Sequence, residues 1–193
     1  MNKKQSLRWQ IAVHEAGHAV AALLLGIPDV GAVIFVEGDR GCGLATTAPK
    51  TATSPMEHIS NYSKIYERHR NDSWEELLSM ATFVAAGHAS EDLLINTTRT
   101  ETAVLGGDEV IIRALCNAAI PTSCDPLVEI SFGFMASARA RALLKPDLWR
   151  VERVAKALDK RGMLSADEVV KVMYPHLNEI DFARLSPAGR PGA

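Results

Sequence analysis

Apolar residues in this chain recur mostly at helical spacing. Ala, Leu and Val dominate residues 7–25, and Gly26 with Pro28 supplies a common helix stop, so the pattern predicts a helix over 7–25. The period then changes. In 30–49, "AVIFVE" is β-branched and aromatic, "GDRGCG" is turn chemistry and "LATTA" is a short return strand, which predicts a β-hairpin. Residues 49–73 are polar and mixed, with Pro49 and Pro55, and read as a loop with a short helix at 56–68.

Ser73 and Glu76 have capping-box spacing, and Leu77, Met80, Ala81, Val84, His88, Leu94 and Ile95 form an apolar stripe behind them. A helix from Trp74 to about Asn96 follows. A polar loop over 96–108 leads to a helix from Asp108 to about Ala119. Pro121 and Pro126 bracket a turn, and helices follow at about 127–144 and 147–161. Gly162 then ends a helix, Ser165 and Glu168 form another capping box, and the last helix stops near Tyr174 before Pro175. The closing "SPAGRPGA" has a disordered composition. The expected fold class is mainly α. It comprises one domain over 1–174, with a small β-hairpin after the first helix and a helical C-terminal part at about 127–174. A terminal segment, 175–193, follows and is flexible at 186–193.

Composition narrows the function classes. A net charge of -2 gives no basic excess of the kind a nucleic-acid binder carries, so no nucleic-acid partner is expected. Basic residues thicken over 139–161, but Glu152 and Asp159 interleave with them, which fits solvated helix faces. Cys42, Cys116 and Cys124 are odd in number and contain no CxxC pair. That argues against a disulfide framework and a cysteine-rich zinc ribbon, and points to the reducing cytoplasm. The start is basic and then apolar, like a signal peptide, but His14, Glu15 and His18 interrupt the apolar part. The longest apolar run, 19–27, falls well short of the roughly 20 residues that cross a bilayer, so no membrane span is expected.

The first helix carries the clearest chemistry, in "HEAGH" at 14–18. Positions i and i+4 lie about 40° apart around a helix, so His14 and His18 project side by side and can fill two corners of a tetrahedral zinc site. Glu15 stands beside that pair, where it can act as general base on a zinc-bound water without ligating the metal. Gly17 costs about 1 kcal/mol in a helix, which implies that another segment approaches closely. The site needs a further ligand. Glu91, Asp92, Asp108, Glu109 and Asp125 are the acidic candidates. The residue pattern does not choose between Asp108 and the Glu91/Asp92 pair, although Gly106-Gly107 delivers Asp108 to a helix start. His58 and His69 lie in the polar loop, His176 follows a proline near the end, and His88 reads as a core histidine.

"HEAGHAV" resembles the zinc-binding helix of the FtsH-type peptidases, the protease half of membrane-anchored AAA+ zinc proteases. In order along the chain, "AVIFVEGDRGCGLATT", "AAGHASEDLL", "TETAVLGGDEVIIRALCNA" and "KALDKRGMLSADEVVKVM" are similar to further segments of that family. His88 stands where the family usually has arginine. The resemblance spans most of 7–174 and implies that Asp108 is the third zinc ligand, that Glu91 supports the site or the fold without binding metal, and that Gly17 makes room for the segment carrying Asp108. It is incomplete in other respects. No GxxxxGK[ST] motif occurs, residues 118–146 are shortened and altered where the family builds subunit contacts, and Gly106-Gly107 replaces its alanine-serine-asparagine. An oligomer is left open, and a hexamer is not implied.

The expected function is that of a zinc metalloendopeptidase acting on peptides or unfolded proteins, with His14, His18 and Asp108 holding zinc and Glu15 as general base. Folded substrates would need a separate ATPase or unfoldase. The alternatives are a catalytically weak or inactive zinc-binding regulatory or adaptor module, and a zinc peptidase of another class with a downstream glutamate as ligand.

Overall fold

The first helix starts where a hydroxyl can satisfy its free amides. In a computed structural model, which describes residues 6–37, 40–46, 67–96, 107–120 and 125–176, the Ser6 hydroxyl accepts from the Trp9 amide at 3.2 Å and opens α1 (Leu7–Leu25). Gly26, at φ 75°, closes it by donating its N–H to the Ala22 and Leu23 carbonyls. The middle of α1 is buried nearly all the way round, from Ala12 to Ala22 with only His14 less covered. A helix apolar on every side must be wrapped by other elements.

One wrapping element is the hairpin β1 (Gly31–Glu37) and β2 (Arg40–Thr46), antiparallel with Ile34 opposite Gly43. The return strand therefore begins earlier than "LATTA", and most of "GDRGCG" is strand. The reason is packing. A Cβ at Gly41 would press on Ile11, and one at Gly43 would overlap the Glu15 side chain, so both glycines let β2 lie against α1. The sequence signal for a turn was a signal for close approach.

Helix α2 (Trp74–Leu94) begins with the expected capping box of Ser73 and Glu76. Helix α3 (Gly107–Ala119) follows, then α4 (Pro126–Leu144), capped by the Asp125 carboxylate accepting from the Leu127 amide at 2.9 Å. A 3-10 turn (Lys145–Asp147) joins α4 to α5 (Leu148–Arg161). Gly162, at φ 80°, ends α5 and feeds β3 (Met163–Leu164), a strand the sequence did not reveal. It pairs antiparallel with β1, giving the sheet order β2-β1-β3. The Ser165 and Glu168 box then starts α6 (Ala166–Met173). The fold is mainly helical with one small antiparallel sheet.

One buried cluster runs from Val13 and Val20 of α1 through Leu77 of α2 to Phe132, Leu158 and Met173. The C-terminal helices thus share the core of α1. The short helix expected at 56–68, except for its last two residues, the loop up to Gly106 and the tail at 186–193 lie outside the described residues.

The close approach implied by Gly17 comes from α2, not from the segment carrying Asp108. A Cβ at Gly17 would overlap Ser90 and lie 2.5 Å from the Ala86 carbonyl oxygen, and the Ser90 hydroxyl donates to the Val13 carbonyl at 2.8 Å. Gly17→Ala should therefore lower the unfolding free energy in urea by about 1–3 kcal/mol through overpacking, although alanine is better in a helix by about 1 kcal/mol. An unchanged or raised value would contradict this contact.

Candidate metal centre

The tight α1–α2 crossing sets what happens to the two histidines. His14 and His18 lie one turn apart on α1 and both face α2 at Gly87. A Cβ there would lie 2.5 Å from the Nε2 atoms of both rings. Gly87 is a second mid-helix glycine, beside the imidazoles as Gly17 is beside Ser90.

Each imidazole is oriented from behind. His14 Nδ1 donates to Glu91 Oε1 at 2.7 Å, and His18 Nδ1 donates to the Phe83 carbonyl oxygen at 2.9 Å. A carbonyl oxygen can only accept, so His18 Nδ1 carries the hydrogen. The same holds for His14 against the Glu91 carboxylate. In the neutral rings both Nε2 lone pairs are therefore bare and aimed away from these partners.

They converge on Asp108 at the start of α3. The two Nε2 atoms are 3.0 Å apart, and Asp108 Oδ2 lies 3.1 Å from that of His14 and 3.4 Å from that of His18. Around a tetrahedral ion with bonds of about 2.0–2.1 Å, ligand atoms stand about 3.3 Å apart. The triangle is within a few tenths of an ångström of that figure. Asp108 Oδ2 is also buried without a hydrogen-bond partner. A buried, orphaned carboxylate oxygen beside two bare imidazole nitrogens fits a cation. His14, His18 and Asp108 could hold a metal ion.

Glu15 is buried, with its side chain against Gly43 of β2. Burial raises its pKa from the ordinary 4.5, partly offset by the two histidines. Burial alone would raise Glu91 and Asp108 too. The neighbouring histidines outweigh it, bringing Glu91 down to about 2 and Asp108 well below 3.8. Burial alone would lower the histidines. For His14 the Asp108 and Glu91 carboxylates outweigh it, and for His18 chiefly Asp108 does, so both lie above 6.5. Three carboxylates around two imidazoles make a site that attracts positive charge.

The other sequence candidates fall elsewhere. Asp92 pairs with Arg141 at 2.6 Å, and Asp125 caps α4. Glu109 lines a groove between α2, α3 and α4. His69 binds Asp72 at 2.7 Å, His176 is exposed, and His58 lies outside the described residues. His88 is the main difference from the sequence reading. It stands beside the site rather than in the core, with its ring centroid 4.8 Å from that of His14 and its Nε2 3.8 Å from Asp108 Oδ2. With His14 and Glu91 it forms a second set of donors within 4.8 Å of one another. That set is the poorer one, because His14 Nδ1 already holds Glu91. The Gly87-His88 pair could have signalled the site, since a mid-helix glycine costs stability unless something packs on it.

The three donors line a cleft of about 390 Å³ with Glu15 and His88. Apolar groups such as Ile11, Leu44, Phe83 and Ile111 make much of its remaining wall. No protein-family model matches the chain, and no curated protein matches it.

The pKa shifts give the metal-free protein a definite pH profile. The lowered carboxylates stabilise the fold above their ordinary 3.8 and 4.5, and this is lost as pH falls toward about 2. The raised histidines stabilise it below 6.5, and this is lost as pH climbs through their raised values. Glu15 acts in the same direction as the histidines. Urea unfolding in chelator should show greatest stability between about pH 4.5 and 6.5 and a decline above it. A maximum above about pH 8 would contradict the arrangement.

Proposed function

We propose that this chain is a zinc metalloendopeptidase that hydrolyses peptides or unfolded polypeptides. The observation carrying this reading is the convergence of His14 Nε2, His18 Nε2 and Asp108 Oδ2 within 3.4 Å of one another, with Glu15 buried at their side. Two imidazoles and one carboxylate are the donor set of a catalytic zinc site that keeps one position open. Zinc bound there would supply Lewis acidity toward a water and a peptide carbonyl.

The residues then divide the work. His14, His18 and Asp108 hold the ion, and Glu91 and the Phe83 carbonyl keep the imidazoles turned toward it. Glu15, made more basic by burial, accepts a proton from the attacking water on its carboxylate. The water oxygen adds to the carbonyl carbon, the C–N bond breaks, and Glu15 delivers its proton to the leaving nitrogen. An extended peptide suits the cleft. Among the described residues β2 is at the edge of the sheet, and its residues Cys42–Ala45 line the cleft, so a substrate strand could add to it.

The likeness of "HEAGHAV" and the later segments to FtsH-type peptidases supports the same activity and the choice of Asp108. These 193 residues hold no GxxxxGK[ST] motif, so they do not themselves unfold a substrate with ATP by that route, and the peptidase reading is for substrate presented unfolded. Among the described residues no helix is long and apolar enough to cross a membrane. Cys42 and Cys116 are free thiols, which suits the cytoplasm.

Glu15→Gln should retain one zinc per chain and cleave unfolded casein at least about 100-fold more slowly. Stoichiometric zinc in the wild type with no cleavage of any unfolded substrate, even beside an added unfoldase, would instead favour a regulatory module. Asp108→Ala should lose zinc, whereas Glu91→Ala should weaken it by about 10–100-fold. Zinc that survives in Asp108→Ala and is lost in Glu91→Ala would place the ion on His14, His88 and Glu91.

A further inference from the structure

A third imidazole borders the metal centre. His88 lines the same cleft as His14, His18 and Asp108, and its side chain is 33 % exposed. The backbone beside it is already close to the donors: a Cβ on the preceding residue, Gly87, would lie 2.5 Å from both Nε2 atoms.

The placement of His88 repeats that of the two histidines assigned to the ion. The rings of His14 and His18 stand 4.7 Å apart between centroids, with their planes at 78°. The rings of His14 and His88 stand 4.8 Å apart, again at 78°. Glu91 faces both members of that second pair. Its Oε1 accepts from His14 Nδ1 at 2.7 Å, and its Oε2 lies 3.6 Å from His88 Nδ1. The far nitrogens, His14 Nε2 and His88 Nε2, lie 3.1 and 3.8 Å from Asp108 Oδ2. A carboxylate only accepts, so a neutral His88 keeps its hydrogen on Nδ1, beside Glu91, and presents a bare Nε2 lone pair on the Asp108 side.

The contact with Glu91 is too long for a hydrogen bond. His88 Nδ1 is buried with no other partner, and so is Asp108 Oδ2. Two orphaned polar atoms thus flank one ring. A cation held by His88 Nε2 and Asp108 Oδ2 satisfies the carboxylate oxygen and strengthens Nδ1–H as a donor toward Glu91.

We propose that His88 Nε2 is a fourth ligand of the ion, closing in the resting protein the position that the other three donors leave open. This role rests on the metal centre proposed above. Ligand atoms around a tetrahedral ion stand about 3.3 Å apart, so at 3.8 Å from Asp108 Oδ2 His88 is the loosest of the four. It is the one that a competing ligand displaces. Four protein ligands make a closed site, and three make the open site that catalysis needs. The position of His88 switches the centre between the two.

X-ray absorption at the zinc edge counts imidazoles through scattering from their outer ring atoms. Wild type carrying one zinc should show three imidazoles, and His88→Ala two, with unchanged circular dichroism. Acetohydroxamate, a small bidentate zinc ligand, should lower the wild-type count from three to two and leave that of His88→Ala at two. Two imidazoles in untreated wild type would overturn the proposal and leave His14, His18 and Asp108 as the metal site. Three in His88→Ala would overturn it by assigning the extra ring to another histidine. Three that persist in wild type under saturating acetohydroxamate would make His88 a fixed ligand and overturn its displacement. A wild type that retains no zinc after gel filtration would overturn the metal centre itself, and this role with it.

Discussion

Two imidazole nitrogens with bare lone pairs and a carboxylate oxygen face one another at 3.0–3.4 Å, largely buried on the wall of a cleft. Like partial charges at that separation repel, and low dielectric strengthens the repulsion. The arrangement is tolerable only with a positive charge at its centre, whether protons on the rings or a metal ion. Much of the surrounding architecture serves to hold these groups together: hydrogen bonds behind each ring, a helix start that presents Asp108, and glycines that let neighbouring backbones come within reach.

That requirement accounts for the central place of α1. A helix carrying two donors and a buried carboxylate cannot lie on the surface. It is wrapped by α2 on the histidine side, by the β2 edge over Glu15, and by the C-terminal helices behind. Gly17, Gly43 and Gly87 each mark a contact too close for a side chain. Each forgoes the stability a larger residue gives to a regular element, and the packing it permits places the chemistry.

The elements that rest on local signals were legible in the sequence. The capping boxes at Ser73 and Ser165, the C-terminal glycines Gly26 and Gly162, and the turn read as ending at Pro126, which the structure makes the first residue of α4, set boundaries to within a residue or two. Elements that rest on tertiary contact were not. β3 has only two residues and forms because α5 ends against β1, and Gly41 and Gly43 imitate a turn while serving a strand. The same division runs through the site. His14, Glu15 and His18 are legible because five residues of helix bring them together. The placement of Asp108 needed a family likeness, and its distance to the rings is a tertiary fact. His88 was read as core because helical periodicity shows which side of α2 is inward but not that a polar centre lies there. The partner of Gly17 was misjudged for the same reason: a glycine announces a close neighbour without naming it.

The two histidines differ in what fixes them. His18 is held by a main-chain carbonyl, that of Phe83, and His14 by the carboxylate of Glu91. Every amino acid brings the same carbonyl, so substitution at position 83 leaves that acceptor in place while it reshapes the cleft wall. Position 91 has no such immunity, because its charge, length and basicity all reach His14 directly. Evolutionary drift can therefore alter the cleft at 83 while the ring it holds stays oriented, and selection on the strength of the centre acts through 91.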